Sequence, residues 1–380
     1  MPAKKIYNHA LNPDEETLRQ FKHCTDQEFV TSAALMPDAH SGYVAPIGSV
    51  LITKSNIVPA WVGFDIGCGV IAMKIKGKSL VDKVKNNADK IYKEVMKKVP
   101  MGLGETHSEK AISNDNLEKL NLLIEKFSKT NPNNEVLNLI QGVSKKHLGT
   151  LGGGNHFIEL SSSKDELWLV IHSGSRGLGH KIATRYMKLA SNSKENYEKT
   201  IPLPDDSELG KEYLNVLDFC LEFALLNRLE MANKVLEALK SVLKEKLSMQ
   251  LWVNKNHNHA IYEKGEYIHR KGATPSKKGE RGVIPANMRD GAYLVKGLGN
   301  PKFLYSSSHG AGRQLSRTKA KETITMQAFK ESMSGITGTI SERTLDEAPQ
   351  AYKSINEVMT AQKDSVKIYK HLSPIINWKG

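Results

Sequence analysis

Leu214, Leu217, Leu221, Leu225 and Leu229, then Leu236, Leu239 and Leu243, return every three or four positions. That period places them on one stripe of a helix. Residues 205–247 therefore read as helical, and the run is long enough to predict two helices or one bent helix. The stripe speaks for packing rather than chemistry. Residues 79–98, SLVDKVKNNADKIYKEVMKK, read as a helix with Ser79 as N-cap and a basic C-terminal end, and 115–129 as a shorter one. Strand patterns lie between them. APIGSVLIT (45–53) follows a turn, and LWLVIHSG (167–174) is a short apolar run ending in glycine, which suits a buried strand. Beyond 250 the pattern returns to short strands and loops: LWVN, EYIHRKG and AYLVKG. Helices and strands do not alternate strictly, so the predicted class is α+β. We expect one compact domain over 1–380, with mixed and antiparallel sheets, surrounding helices, and a helical excursion at about 181–248.

Composition narrows the picture. The chain has 380 residues, 39% of them hydrophobic and 25% charged, which is a globular balance with length enough for a large core. No apolar run approaches the ~18 residues a membrane helix needs. The opening MPAKKIYNHALNPDEE lacks an apolar targeting core, which predicts a cytoplasmic protein and no membrane partner. The formal net charge of +13 fits a polyanionic partner, nucleic acid first, and fits a merely lysine-rich solvated surface about as well; charge alone does not choose between them. Three widely spaced cysteines, Cys24, Cys68 and Cys220, imply no disulfide framework. Cys24 and Cys220 sit in helical sequence as small core fillers.

Glycine-rich, non-helical stretches hold the candidate chemistry. VGFDIGCGV sets Asp65 and Cys68 three apart in a turn that can aim a carboxylate and a thiolate at one point. GTLGGGNHFIEL leads three glycines into Asn155, His156 and Glu159. Glycines allow close backbone approach to a ligand. LVIHSGSRGLGH places His172 at the end of an apolar strand, before a loop with Arg176 that looks phosphate-facing. VNKNHNHAIYE offers His257 and His259, which share a face if the segment is a strand; spacing allows either as a ligand. Mixed O, N and S donors suit a borderline divalent ion, Mn²⁺ or Zn²⁺. SSSHGAGRQL holds His309 before Gly310, Ala311 and Gly312, whose N–H groups can face phosphate, with Arg313 and Arg317 to neutralise it.

Together these stretches resemble the RtcB-type RNA ligases. The shared pieces are MPDAHSGYVAPIGSV, VGFDIGCG, LGTLGGGNHFIEL, IHSGSRGLGH, NHNHAIYE, KGATPSKKG, SSSHGAGRQLSR, DEAPQAYK and the terminal NWKG, in the family's order over nearly the whole chain. The resemblance implies an RtcB-like fold, GTP as co-substrate and two Mn²⁺ ions. It implies that His309 attacks the α-phosphorus of GTP and carries GMP. Asp65, Cys68, His156, His172 and His257 are then the metal ligands, with Cys68 bridging. His257 is preferred to His259 because Asn258 completes the family's His-Asn pair. The guanylate pocket draws on Asn155, Phe157, Glu159, Asn258, Pro285, Asn287, Met288, Gly310, Ala311, Gly312, Tyr352 and Lys379. Arg176, Arg313 and Arg317 are expected on phosphate or RNA. The implied partners are RNA with a 3′-phosphate or 2′,3′-cyclic phosphate and RNA with a 5′-hydroxyl, with room for an accessory activator.

The chain departs from the family in one loop. IPANMRDGAYL puts Ala286, Asn287 and Arg289 where small Gly and Ser are usual, and Ala292 where a serine would follow. Arg289 could grip a phosphate or crowd the pocket. By analogy, a shorter divergent chain fits RNA repair better than tRNA splicing. The competing readings are a metal-dependent RNA-end phosphatase or cyclic phosphodiesterase without ligation, and a basic RNA-binding protein with a structural metal. A guanylylated His309 would exclude both.

Overall fold

A computed structural model describes residues 3–102, 104–131 and 133–380. Its central sheet runs, in spatial order, Arg281–Pro285, Ala292–Gly297, Val366–Lys379, Phe157–Ser163, Glu166–Ser173, Gly69–Lys76 and Ser248–Asn256. Each neighbour in that order whose register is defined is antiparallel, and Thr337–Gly338 adds in parallel beside Val366–Lys379. The two outer strands approach each other: the Trp252 indole N–H donates to the Gly282 carbonyl at 3.3 Å, so the sheet is nearly closed. Alternation explains the closure. Along Gly69–Lys76, Val70 and Ala72 point inward to Val170, Val283, Leu294 and Leu372. Ile71, Met73 and Ile75 point outward to the helices.

A second sheet orders Lys5–Asn8, Val30–His40, Ile47–Thr53, Glu266–Lys271 and Asn258–Glu263. Only its first pair is parallel. The chain passes from one sheet to the other at a single residue. Ser248–Asn256 ends, His257 makes the joint, and Asn258–Glu263 begins. The N–H groups of His257 and Asn258 both donate to the Cys68 carbonyl, at 2.7 and 3.2 Å. A residue expected inside a strand therefore sits at a corner. His257 and His259 do not share a working face: His259 is buried in the second sheet, opposite Arg270.

The leucine stripe forms one continuous helix, Glu208–Leu243, rather than two. It contains no proline, and its sole glycine, Gly210, lies in the first turn, so nothing breaks the hydrogen-bond ladder. Its buried face spans both large cores. Residues 79–98 do the reverse and divide into Leu80–Asn86 and Ala88–Lys98. The Asn87 amide donates to the Lys83 carbonyl at 2.9 Å, a local bond that competes with helix continuation. Ser79 stands at the cap position in left-handed backbone and makes no side-chain cap bond. The remaining expected elements appear at Ile47–Thr53, Asn114–Thr130 and Glu166–Ser173. No helix among the described residues is long and apolar enough to cross a membrane. Phe223, fully buried where the long helix meets the first core, should cost about 3–5 kcal/mol on truncation. Phe223→Ala is expected to lower the apparent thermal midpoint by several degrees in a melting scan.

Candidate active site

All five expected ligands come together at one mouth of the near-barrel. Asp65 and Cys68 lie in the loop before Gly69–Lys76, His156 just before Phe157–Ser163, His172 near the end of Glu166–Ser173, and His257 at the joint. The loop closes because Gly67 takes φ +73°, where a Cβ would also strike Ala224, and because the Cys68 N–H donates to the Asp65 carbonyl at 3.1 Å. The ligand atoms form two groups, Asp65–Cys68–His156 and Cys68–His172–His257, each within 4.8 Å internally. Cys68 belongs to both.

The geometry is compatible with a bound cation. Cys68 Sγ is 3.1 Å from His172 Nε2, which is 3.2 Å from His257 Nε2, and His156 Nε2 is 2.9 Å from Asp65 Oδ2. The His156 and His172 Nδ1 atoms face the carbonyls of Leu151 and Asn155, at 3.0 and 3.2 Å. A carbonyl only accepts, so Nδ1 of His172 carries the proton and its Nε2 presents a lone pair to the centre, whereas His156 faces an acceptor at both nitrogens, the Leu151 carbonyl and the Asp65 carboxylate. Burial holds His172 and His257 well below the usual imidazole range, so both are neutral donors. Burial, then Asp65, pushes the Cys68 thiol well up; a bound cation would reverse that and hold the thiolate. The donor set fits a pair of borderline divalent ions sharing one sulfur.

The long helix carries residues that sequence reading assigned to packing alone. Arg228 is fully buried, and burial lowers it only to about 10, so it stays charged. It donates to the carbonyls of Gly67 and Ser173 at 3.0 and 2.7 Å and to the side chains of Asn254 and Asn256 at 2.7 Å each. Asn227 accepts from the Gly149 N–H at 2.7 Å and donates to the Gly174 carbonyl at 3.1 Å. Two adjacent helix residues thus pin the loops that carry Cys68, His156, His172 and His257.

His309 follows the short strand Ser306–Ser308 and turns its ring toward the centre, 4.7 Å from the His257 ring. Asp38, buried in Val30–His40, sits behind it. Its Oδ2 accepts from the N–H groups of His309 and Gly310 at 3.1 and 3.2 Å, and lies 2.7 Å from His309 Nδ1 at a bent angle. Burial opposes the charge on Asp38, but the neighbouring His309 outweighs it and keeps the carboxyl below its usual value. The Gly310 N–H, expected on phosphate, is thereby committed to Asp38.

A cavity of about 640 Å³ opens over His309, Cys68 and His172. Asn155, Phe157, Glu159, Asn258, Pro285, Asn287, Met288, Ala311, Gly312, Tyr352 and Lys379 all line it, as do Arg313 and Arg317. Several are held differently from expectation. Lys379 ends a paired strand and contacts Glu347 at 2.7 Å, the carboxylate that Arg317 meets at 2.7 Å, Arg313 at 3.3 Å and the Tyr352 hydroxyl at 2.5 Å. Burial resists the Glu347 charge, yet Lys379 and Arg317 hold it down to about 2. Arg313 also donates to the carbonyls of Leu315 and Asp346 and lies over the Tyr352 ring, so its guanidinium is internally engaged. Arg176 is off the cavity wall: it packs against Gly152, its Nη1 3.4 Å from His156 Nδ1. In the divergent loop, the Asn287 side chain bonds its own turn, and Arg289 pairs with Asp290 at 2.7 Å without reaching the cavity. Ala292 faces the barrel interior.

Glu159 is buried beneath the cavity, where it accepts from Ser161 at 2.5 Å and Asn377 at 3.0 Å. Burial pushes its carboxyl up to about 7 despite those bonds. A folded-state pKa above the unfolded one means stability present at low pH and lost as pH rises through the window from 4.5 to about 7. Glu159→Gln should therefore melt higher than the parent at pH 8, with the gap closing toward pH 4.5, in parallel scanning-calorimetry runs.

Comparison with known proteins agrees with this geometry. The family described as tRNA-splicing ligase RtcB matches residues 20–380. An RNA-splicing ligase RtcB1 from Escherichia coli ATCC 25922 is 35% identical, covering 99% of this chain and 97% of its own. The RNA-splicing ligase RtcB of Escherichia coli K12 is 34% identical with the same coverage. The tRNA-splicing ligase RtcB of Nanoarchaeum equitans is 29% identical over 93% of this chain and 89% of its own. With its metal-ligand loops in one mouth of a nearly closed sheet and its similarity running from end to end, the chain belongs to the RtcB family.

Proposed function

We propose that the protein is an RNA ligase that joins a 3′-phosphate or 2′,3′-cyclic phosphate end to a 5′-hydroxyl end through a GMP adduct on His309. The observation that carries this reading is the placement of His309 against Asp38 on one side and the Cys68-centred ligand set on the other. Asp38 keeps the proton on Nδ1 and leaves Nε2 as the nucleophile. Nε2 attacks the α-phosphorus of GTP, a P–N bond forms, and the bond to pyrophosphate breaks. The negative Asp38 offsets the positive charge that the ring gains on phosphorylation.

GMP then passes from His309 to the RNA 3′-phosphate, and His309 recovers its lone pair. The 5′-hydroxyl attacks the activated end, the phosphodiester forms, and GMP leaves. A 2′,3′-cyclic phosphate is first opened by water to the 3′-phosphate. Asp65, Cys68 and His156, and Cys68, His172 and His257, would hold divalent cations, Mn²⁺ in this reading, which would supply polarisation of phosphate oxygens and neutralisation of developing charge. Phe157, over which the Lys379 ammonium lies at 5.5 Å, and the buried Glu159 offer a flat apolar surface and a carboxyl for a guanine base. The net charge of +13 supports RNA-backbone binding that weakens steeply with salt.

With GTP radiolabelled on the α-phosphate and Mn²⁺ present, the protein should retain label through denaturing electrophoresis. His309→Ala should abolish the label, and Asp38→Asn should slow labelling at least ~10-fold, because the amide favours the wrong ring tautomer. A hydrolase of RNA ends would take no label in any of these forms. Cys68→Ala should lose most of its bound metal by elemental analysis, since both ligand groups share that sulfur, and ligation should fall with it.

A further inference from the structure

We propose that the cavity wall formed by Tyr43, Phe64 and Lys271 is the subsite for the end nucleotide of an RNA strand, its base on the exposed Tyr43 ring, which Phe64 holds edge-on, and a phosphate on the ammonium. The proposal deepens the ligase reading and rests on it. The cavity lining holds cations of two kinds. Lys379 and Arg313 are paired with Glu347, and Arg317 with both Glu347 and Asp346. Lys271, among the described residues, has no such partner.

Lys271 ends the strand Glu266–Lys271 and is only 6% exposed. Its ammonium has no hydrogen-bond partner among the described residues. Burial lowers it to about 8, so it remains largely charged at neutral pH. An unpaired buried cation costs stability, and the cost is recovered when an anion binds. Position says which anion. A Cβ built on Gly63 would lie 3.4 Å from Lys271 Nζ, two residues before Asp65. A Cβ on Gly272, the next residue along, would lie 3.0 Å from His309 Cε1. A phosphate on Lys271 lies beside the ligand loop and shares the cavity with the nucleophile. Asp14, an acidic side chain on the same wall, is engaged as a helix cap, accepting from the Thr17 N–H at 2.6 Å.

The aromatic pair tells RNA from a bare phosphate. Tyr43 is 74% exposed at the cavity rim. It meets Phe64 edge-on, with ring centres 5.5 Å apart and planes at 90°. Phe64 is fixed from behind by His180, stacked at 4.9 Å and 20°. A rigid ring backed by an imidazole, with an exposed tyrosine beside it, is a stacking platform for an unpaired base.

The test is RNA affinity by fluorescence anisotropy. The probes are a short single-stranded RNA with a 3′-phosphate and the same strand with an abasic last nucleoside. Tyr43→Ala should weaken the intact strand about 10-fold and the abasic strand hardly at all, while Tyr43→Phe binds as the parent does. Lys271→Met should weaken both strands and reduce the salt slope by about one, yet raise the thermal midpoint, because it removes an unpaired buried charge. Equal affinity of Tyr43→Ala and parent for the intact strand, or equal weakening of both strands, overturns the base platform. A Lys271→Met variant that melts lower and binds RNA normally overturns the phosphate role. GTP labelling of the parent reports separately on the ligase reading: label without the Tyr43–base coupling removes the subsite alone, and absence of label removes the ligase reading.

Discussion

The structure turns on lone pairs that face one another. Three imidazoles, a carboxylate and a thiol converge with nitrogen, oxygen and sulfur atoms 2.9–3.5 Å apart, and the outer nitrogens of His156 and His172 are tied to carbonyls. Such a cluster repels wherever two lone pairs meet with neither a proton nor a cation between them, and the fold holds it together from outside. Arg228 and Asn227 do this from the buried face of the long helix, bonding the backbone of the ligand loops rather than the ligands. A helix that reads as packing is thus the scaffold of the centre, and its unbroken length follows: it must reach both cores and still present those two residues at one point.

Charge pairing divides the cavity by task. Glu347 gathers Lys379, Arg313, Arg317 and the Tyr352 hydroxyl into an internally paired wall, which suits recognition of a base. Asp38 meets a single histidine and two N–H groups, which suits orientation of a nucleophile. Among the described residues the Lys271 ammonium has no hydrogen-bond partner, and that gives its part of the wall an appetite for anions. The same short-range rule operates in all three places: a buried charge is paired inside the protein, or it awaits a partner from outside.

The ligands were legible in sequence because glycine-rich turns, strand ends and the Asp-x-x-Cys spacing are local patterns. Their supports were not. Asp38 lies in an apolar strand 271 positions from His309, and no local period marks an acid for a distant ring. Glu347 was in view within DEAPQAYK, yet only the folded chain brings the C-terminal Lys379 to it. Arginine behaved in the opposite way. Arg313 and Arg176 sit in phosphate-like motifs, but the first is taken up by Glu347 and its neighbours and the second packs behind His156.

By itself the sequence determined the α+β class, the long helical stripe and a pool of donors in glycine-rich turns, because each follows from spacing within a few residues; the choice of ligands from that pool, and of His309 as nucleophile candidate, came from the family resemblance. Tertiary structure decided the rest. It closed the sheet, put His257 at a corner between two sheets while burying His259 elsewhere, kept the long helix whole, and paired Asp38, Glu347 and Arg228 with groups far away in the chain. Those outcomes depend on which charges and lone pairs meet once water is excluded, and that is a property of the packed molecule rather than of any segment of it.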